Sequence, residues 1–161
     1  MAEILSVSKI VKVCQNAKKT GKAVVLAGGC FDILHPGHTV FLEKAKQVGD
    51  MLIVFLESDQ KVKQLKGSDR PVHTQKERAQ VLSALGTVDF VVMLPFIKSN
   101  AGYDKLISQI KPDVIAITSK DAGNVHHQRT AELVGAKLQL VTKSIGNYSS
   151  SKLSSSKLLG R

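Results

Sequence analysis

The stretch Ala23-Val24-Val25-Leu26-Ala27-Gly28-Gly29-Cys30-Phe31-Asp32-Ile33-Leu34-His35-Pro36-Gly37-His38 decides how the rest of this chain is read. Its first five residues form a continuous apolar run rich in valine. The run lacks the alternation of a strand with one face in water, so both faces of this strand are expected to be covered. Two glycines end the run, and Pro36 presets the φ angle of a helix that starts at Pro36 or Gly37. Four more short apolar runs follow, at residues 51–56, 90–94, 114–117 and 138–141, and segments with helical spacing separate them at 37–48, 74–85, 103–110 and 125–134. Another amphipathic helix, residues 8–19, precedes the first strand, with Ile10, Val11, Cys14 and Ala17 on one side. The alternation predicts an α/β fold, a Rossmann-like, doubly wound parallel sheet of five strands with helices on both faces. Ligands of such sheets lie beyond the carboxyl ends of the strands, so function is sought in the loops that follow strands.

Local stops agree with these boundaries. Gly49 lies where a helix C-cap glycine would sit, Thr74 and Glu77 form a T-x-x-E capping box, and Pro112 follows the helix that ends at Ile110. The 161 residues, 43% of them hydrophobic, suit one domain, which at this size buries roughly 70% of its unfolded surface. That domain is expected to cover residues 1–161, with 1–22 as the leading helix and 143–161 as a closing loop and helix. No apolar run approaches the roughly 20 residues that span a bilayer, and the N-terminus shows no basic start, apolar block or cleavage site. No membrane partner and a cytoplasmic location are therefore expected. Cys14 and Cys30 are too far apart for a CxxC motif or a cysteine-built zinc site; they leave room for one disulfide, and a reducing compartment fits best.

The 23 basic and 13 acidic side chains give a net charge of +10, which taken alone suggests a polyanionic partner. Residues 1–27 carry five lysines and one glutamate, residues 133–161 five basic and no acidic side chains, and the span between them is nearly neutral. Aromatic residues are 4% with no Trp, and no helix-turn-helix, zinc-finger or RNA-binding sheet motif is present, so a nucleic-acid partner is not expected. A smaller phosphorylated ligand is a better match. The glycines let backbone approach it, the helix that starts at Pro36 offers free N–H groups to an anion, and His35 and His38 can face one side there as donors to phosphate oxygens. A metal held by His35 and His38 is the rival reading, with Asp32 as the nearest third ligand; a Pro-Gly turn between two histidines is a poor metal scaffold.

These residues resemble the nucleotidylyltransferases that share a G-x-F-D-x-x-H-x-G-H signature, matched here at every fixed position from Gly29 to His38. The likeness continues through Glu43, Ala45, Gly49-Asp50, Ser58-Asp59, Leu65-Lys66-Gly67, Arg70-Pro71-Val72, Glu77-Arg78 and residues 84–92. It most resembles the adenylyltransferase domain of bacterial ADP-heptose synthases, and more distantly cytidylyltransferases for glycerol-3-phosphate, choline phosphate and ethanolamine phosphate, and archaeal FAD synthases. The resemblance implies transfer of a nucleotidyl group from ATP or CTP, AMP being favoured, to a small phosphorylated acceptor such as a sugar 1-phosphate, with release of pyrophosphate. It implies His35, His38 and Lys66 as catalytic residues, Lys66 reaching phosphates from the loop after the second strand. It implies Gly29, Cys30, Phe31, Gly37 and Arg78 around the nucleotide. Mg²⁺ is expected with the triphosphate, with Asp32 either approaching it or capping its own loop.

The family's closing R-T-E-G-I-S-T-T loop is similar to residues 143–153, which makes Lys143, Ser149, Ser150 and Ser151 the expected phosphate contacts; a repeat of the Ser-Ser-Ser-Lys-Leu sequence offers a second register. Where heptose-type relatives read K-G-G-D-Y, this chain reads Thr118-Ser119-Lys120-Asp121-Ala122. Asp121 keeps the acidic nucleotide-binding position and the glycines are gone, which leaves the acceptor open. His126, His127 and Arg129 lie just downstream. A homodimer near Val88-Asp89-Phe90 is expected from the resemblance alone. The alternatives are a cytidylyltransferase for an alcohol phosphate, an FAD-synthase-like adenylyltransferase, and a non-catalytic binding module.

Overall fold

A computed structural model describes residues 1–143. Its strands are β1 (Glu3–Leu5), β2 (Val24–Gly29), β3 (Met51–Leu56), β4 (Phe90–Met93), β5 (Val114–Thr118) and β6 (Lys137–Thr142). Its helices are α1 (Val7–Lys19), α2 (Pro36–Lys46), α3 (Asp59–Lys66), α4 (Gln75–Ser83), α5 (Asn100–Ile110) and α6 (Val125–Val134). All strand pairs are parallel, in the order β1-β4-β3-β2-β5-β6.

The apolar runs are continuous because both faces of the central strands are covered. On β2, Val25 and Ala27 join one core with Phe41, Leu42 and Ala45 of α2 and Ala79 and Leu82 of α4. Val24 and Leu26 point the other way and meet Ile10, Cys14 and Ala17 of α1 and Leu106 and Ile110 of α5. β3 divides in the same manner, Leu52, Val54 and Leu56 against Met51, Ile53 and Phe55. A one-residue slip would exchange the two cores, so register is tightly specified. Cys14 and Cys30 are both free thiols.

The sheet has six strands where the sequence predicts five. β1 is a three-residue edge strand whose register pairs Glu3 with Phe90 and Leu5 with Val92, and it has no fully buried residue. An element that short carries no readable periodicity. α3 was equally silent, because only Val62 of its eight residues is buried; its start is marked by Ser58, which accepts from the Lys61 N–H at 3.2 Å. Other boundaries moved by a turn or less. α5 begins at Asn100 because Ser99 caps it, and the predicted capping box at Thr74 and Glu77 is present. Gly49 is not the cap of α2, which ends at Lys46 with Gln47 as C-cap. Glycine is needed there for space: a Cβ would lie 2.4 Å from Val25 Cγ2 and 3.0 Å from the Ala23 carbonyl oxygen.

Candidate active site

β2 leads to β3 on one side of the sheet and lies beside β5 on the other, so the winding direction switches between β2 and β5. A crevice opens beyond the carboxyl ends of strands at such a point. A cavity of about 710 Å³ is found there, lined by the ends of β2, β3 and β5, the start of α2, and residues of α3, α5 and α6.

Its floor is built by the signature loop. Phe31 has φ +44°, a left-handed conformation that folds its buried ring back over Gly29, where a Cβ would lie 2.9 Å from Phe31 Cε2. The Phe31 ring also meets His38 at a centroid distance of 5.2 Å. His35 is the N-cap of α2 with extended backbone, its carbonyl accepting from the His38 N–H at 2.8 Å, and Pro36 stands in the first turn. The two imidazoles stack at 3.8 Å with an interplanar angle of 24°. Gly37 makes this stack feasible, since a Cβ there would be 3.0 Å from His35 Cε1 and Nδ1. Burial holds His38 far below the ordinary histidine value of 6.5, at about 4, with His35 and Lys66 adding to the effect. His35 is lowered in the same direction, again chiefly by burial, then by Lys66 and Lys120. Near neutral pH both rings are therefore uncharged, and each has one N–H to donate.

Lys66 lines the cavity as expected, but from the last turn of α3 rather than from a loop, and Gly67 at φ +106° ends that helix. Burial lowers its ammonium pKa. Gly29, Cys30, Phe31, Gly37, Asp121 and Lys143 line the same cavity. Asp121 accepts from the Thr118 hydroxyl at 2.8 Å, which organises the loop after β5 in place of the missing glycines. Ser149, Ser150 and Ser151 lie outside the described residues, as does the closing helix expected with them.

Two sequence-predicted residues have other partners. Arg78 is buried and does not line the cavity; it donates to the carbonyls of Cys30, Glu57 (2.9 Å) and His73 (3.0 Å) and pairs with Asp59 at 2.7 Å. It ties the loops after β2 and β3 together from behind. Asp32 is buried too: its carboxylate pairs with Arg70 and accepts from the backbone N–H groups of Val72 (2.8 Å) and His73 (3.2 Å). The arrangement fits the loop-capping role, with protein donors engaging both oxygens. Among the described residues no group of three or more His, Cys, Asp or Glu is placed to hold a metal ion. Downstream, His126 and His127 line the cavity, whereas Arg129 pairs with Asp104, which also accepts from the Thr130 hydroxyl at 2.7 Å, joining α5 to α6.

Glu57, Lys61 and Tyr103 also line the cavity and were not singled out from the sequence. Glu57 could have been found from its place directly after a buried parallel strand. Tyr103 carries no local signal, since it enters from a helix distant in sequence.

The cytidylyltransferase-like family model matches residues 26–161, most of the chain. The chain belongs to the cytidylyltransferase-like family. Membership places it among nucleotidyltransferases. Several curated relatives carry the name bifunctional protein HldE. That of Sulfurimonas denitrificans is 47% identical over 114 residues, which is 71% of this chain and 23% of the relative. That of Nitratiruptor sp. is 45% identical over 107 residues, 66% of this chain and 22% of the relative. The chain thus spans less than a quarter of the length of these relatives. Among solved structures, the lipopolysaccharide core biosynthesis protein of Thermoplasma volcanium is similar with a TM-score of 0.62 and 25% identity, over 80% of this chain and all of that one. A pantoate-beta-alanine ligase from Francisella tularensis shares the fold, with a TM-score of 0.66 at 14% identity, over 91% of this chain and 69% of that one. No helix among the described residues is long and apolar enough to cross a membrane.

Proposed function

We propose that this cytidylyltransferase-like domain transfers AMP from ATP to the phosphate of a small sugar phosphate. An oxygen of the acceptor phosphate forms a bond to the α-phosphorus, the bond from that phosphorus to the bridging oxygen of the β-phosphate breaks, and pyrophosphate leaves with the electron pair. The observation that carries this reading is the His35–His38 stack at the N-terminus of α2, inside the cavity at the switch between β2 and β5.

The imidazole N–H groups can donate to α-phosphate oxygens as charge builds there. They are held in place by stacking, by Phe31 and by the cap of α2, so little reorganisation accompanies the reaction. Lys66 is suited to the departing pyrophosphate as a nearby cation. No covalent intermediate is required. Mg²⁺ enters as part of the substrate, bound to the triphosphate, and no step here is assigned to it. The preference for AMP and for a sugar phosphate is supported by the likeness of the motifs to ADP-heptose synthases. A homodimer is proposed on the same footing, and light scattering of the purified chain would test it.

The reading is tested by incubating the chain with ATP or CTP, Mg²⁺ and phosphorylated acceptors while measuring pyrophosphate. Turnover is expected with ATP and a sugar phosphate, and His35→Ala or His38→Ala should lower kcat about 100-fold or more. Wild-type rates in both variants would refute the site. Nucleotide binding without product for every acceptor would favour a binding module instead.

A further inference from the structure

We infer that Glu57, held by Tyr103, determines which acceptor the domain accepts, by receiving the hydroxyl groups of a polyhydroxylated acceptor phosphate. This rests on the transferase reading and names the side chains that would recognise its acceptor.

Glu57 is the first residue after β3, and its backbone is fixed from two sides. Its N–H donates to the Gly29 carbonyl at 3.1 Å, and its carbonyl accepts from Arg78 Nη2 at 2.9 Å. The side chain projects from that rigid base into the cavity wall. The Tyr103 hydroxyl lies 2.9 Å from Oε1 and 3.0 Å from Oε2 and has one proton to share between them. None of the ion pairs among the described residues includes Glu57. A carboxylate offers about four lone-pair directions, so about three remain for a ligand. Burial raises the Glu57 pKa, and the Tyr103 hydrogen bond, Lys61 and Arg78 oppose it. A partly desolvated carboxylate with unmet acceptor capacity gains most from a ligand that brings donors.

Those donors could be an ammonium or hydroxyls, and Lys61 decides between them. Its ammonium donates to the Ile97 carbonyl at 3.0 Å and stands 5.5 Å from the centre of the Tyr103 ring and 6.0 Å from that of Phe96. A cation of the protein thus already holds the aromatic surface against which a ligand ammonium would pack, and it offsets the charge of Glu57. Hydroxyls gain charge-assisted bonds to the carboxylate without that repulsion. Glu57 also repels the acceptor's own phosphate, which disfavours an inverted pose and directs the phosphate toward His35, His38 and Lys66.

The test is calorimetric titration of the chain, loaded with a non-hydrolysable ATP analogue, with glycerol 3-phosphate, glucose 1-phosphate, propyl phosphate and choline phosphate. Wild type should bind a hydroxylated phosphate about tenfold or more tightly than propyl phosphate, which has the same charge and no hydroxyl. Glu57→Gln should lose most of that difference, and Tyr103→Phe part of it, with ATP-analogue affinity and melting temperature close to wild type. Equal affinity of wild type for all four, binding of none, preference for choline phosphate, or discrimination retained in Glu57→Gln overturns the inference. Loss of ATP-analogue affinity in Glu57→Gln also overturns it, by placing the carboxylate on the nucleotide. Binding is read without turnover, so a domain that releases no pyrophosphate defeats the transferase reading separately.

Discussion

Replacing Arg78 by alanine asks whether one side chain holds the two loops that frame the cavity. Its guanidinium is 1% exposed and engages three carbonyls, those of Cys30, Glu57 and His73, together with the Asp59 carboxylate. A buried acceptor left without a donor costs about 1–3 kcal/mol. Cys30 and Glu57 line the cavity, where water can replace part of what is lost, and Asp59 is 42% exposed and rehydrates. The expected loss is therefore about 3–5 kcal/mol, the range seen when one partner of a buried charged network is removed. With a urea m value of about 2 kcal/mol/M, the unfolding midpoint should fall by about 2 M. Arg78→Lys keeps the charge but not the planar fork, so it should recover only part of the loss. Circular dichroism in urea reads the midpoint, and titration of the folded variant reads ATP affinity. A midpoint lowered by less than about 0.5 M would refute the tethering role. If ATP affinity alone collapsed, the guanidinium would be a nucleotide ligand, as the family likeness implies.

Asp32→Asn should destabilise by about 3–5 kcal/mol, because it leaves buried Arg70 without its counter-charge; a stable variant with a raised Mg²⁺ requirement would return Asp32 to the metal. The His38 pKa is depressed on folding, so the unfolded chain binds the proton first. Its contribution to stability is present above pH 6.5 and is lost as pH falls toward about 4. The urea midpoint should decline across that window, and His38→Gln should flatten the decline; an unchanged slope would mean that other groups dominate. Gly49→Ala should cost about 1–3 kcal/mol by pressing on Val25 and the Ala23 carbonyl, whereas Gly86→Ala, where a Cβ meets open space, should lie within about 0.5 kcal/mol of wild type by thermal unfolding.

Wherever the deciding interaction lies within one element or one turn, it was legible in the chain. Continuous valine-rich runs mark strands covered on both faces, Thr74 and Glu77 mark the start of α4, and the Gly28-Gly29 turn before Pro36 places two histidines at a helix N-terminus. The same local character made β1 and α3 unreadable: one is three residues long and the other buries a single side chain, Val62. Both draw their stability from partners far along the chain.

Residue roles divided along the same line. His35, His38 and the glycines act through neighbours a few positions away, so spacing sufficed to bring them together. Arg78 and Asp32 look from the motif like ligands of a nucleotide and its metal, and in the fold they also engage backbone carbonyls and amides from 21 to 48 positions away. Glu57 and Tyr103 are 46 positions apart and meet only because β3 ends on the side of the sheet where α5 begins. Buried polar groups must find partners wherever folding brings backbone to them. Motif spacing therefore specifies the paired histidines at the start of α2, and the packing of distant loops specifies which polar groups line the cavity beside them.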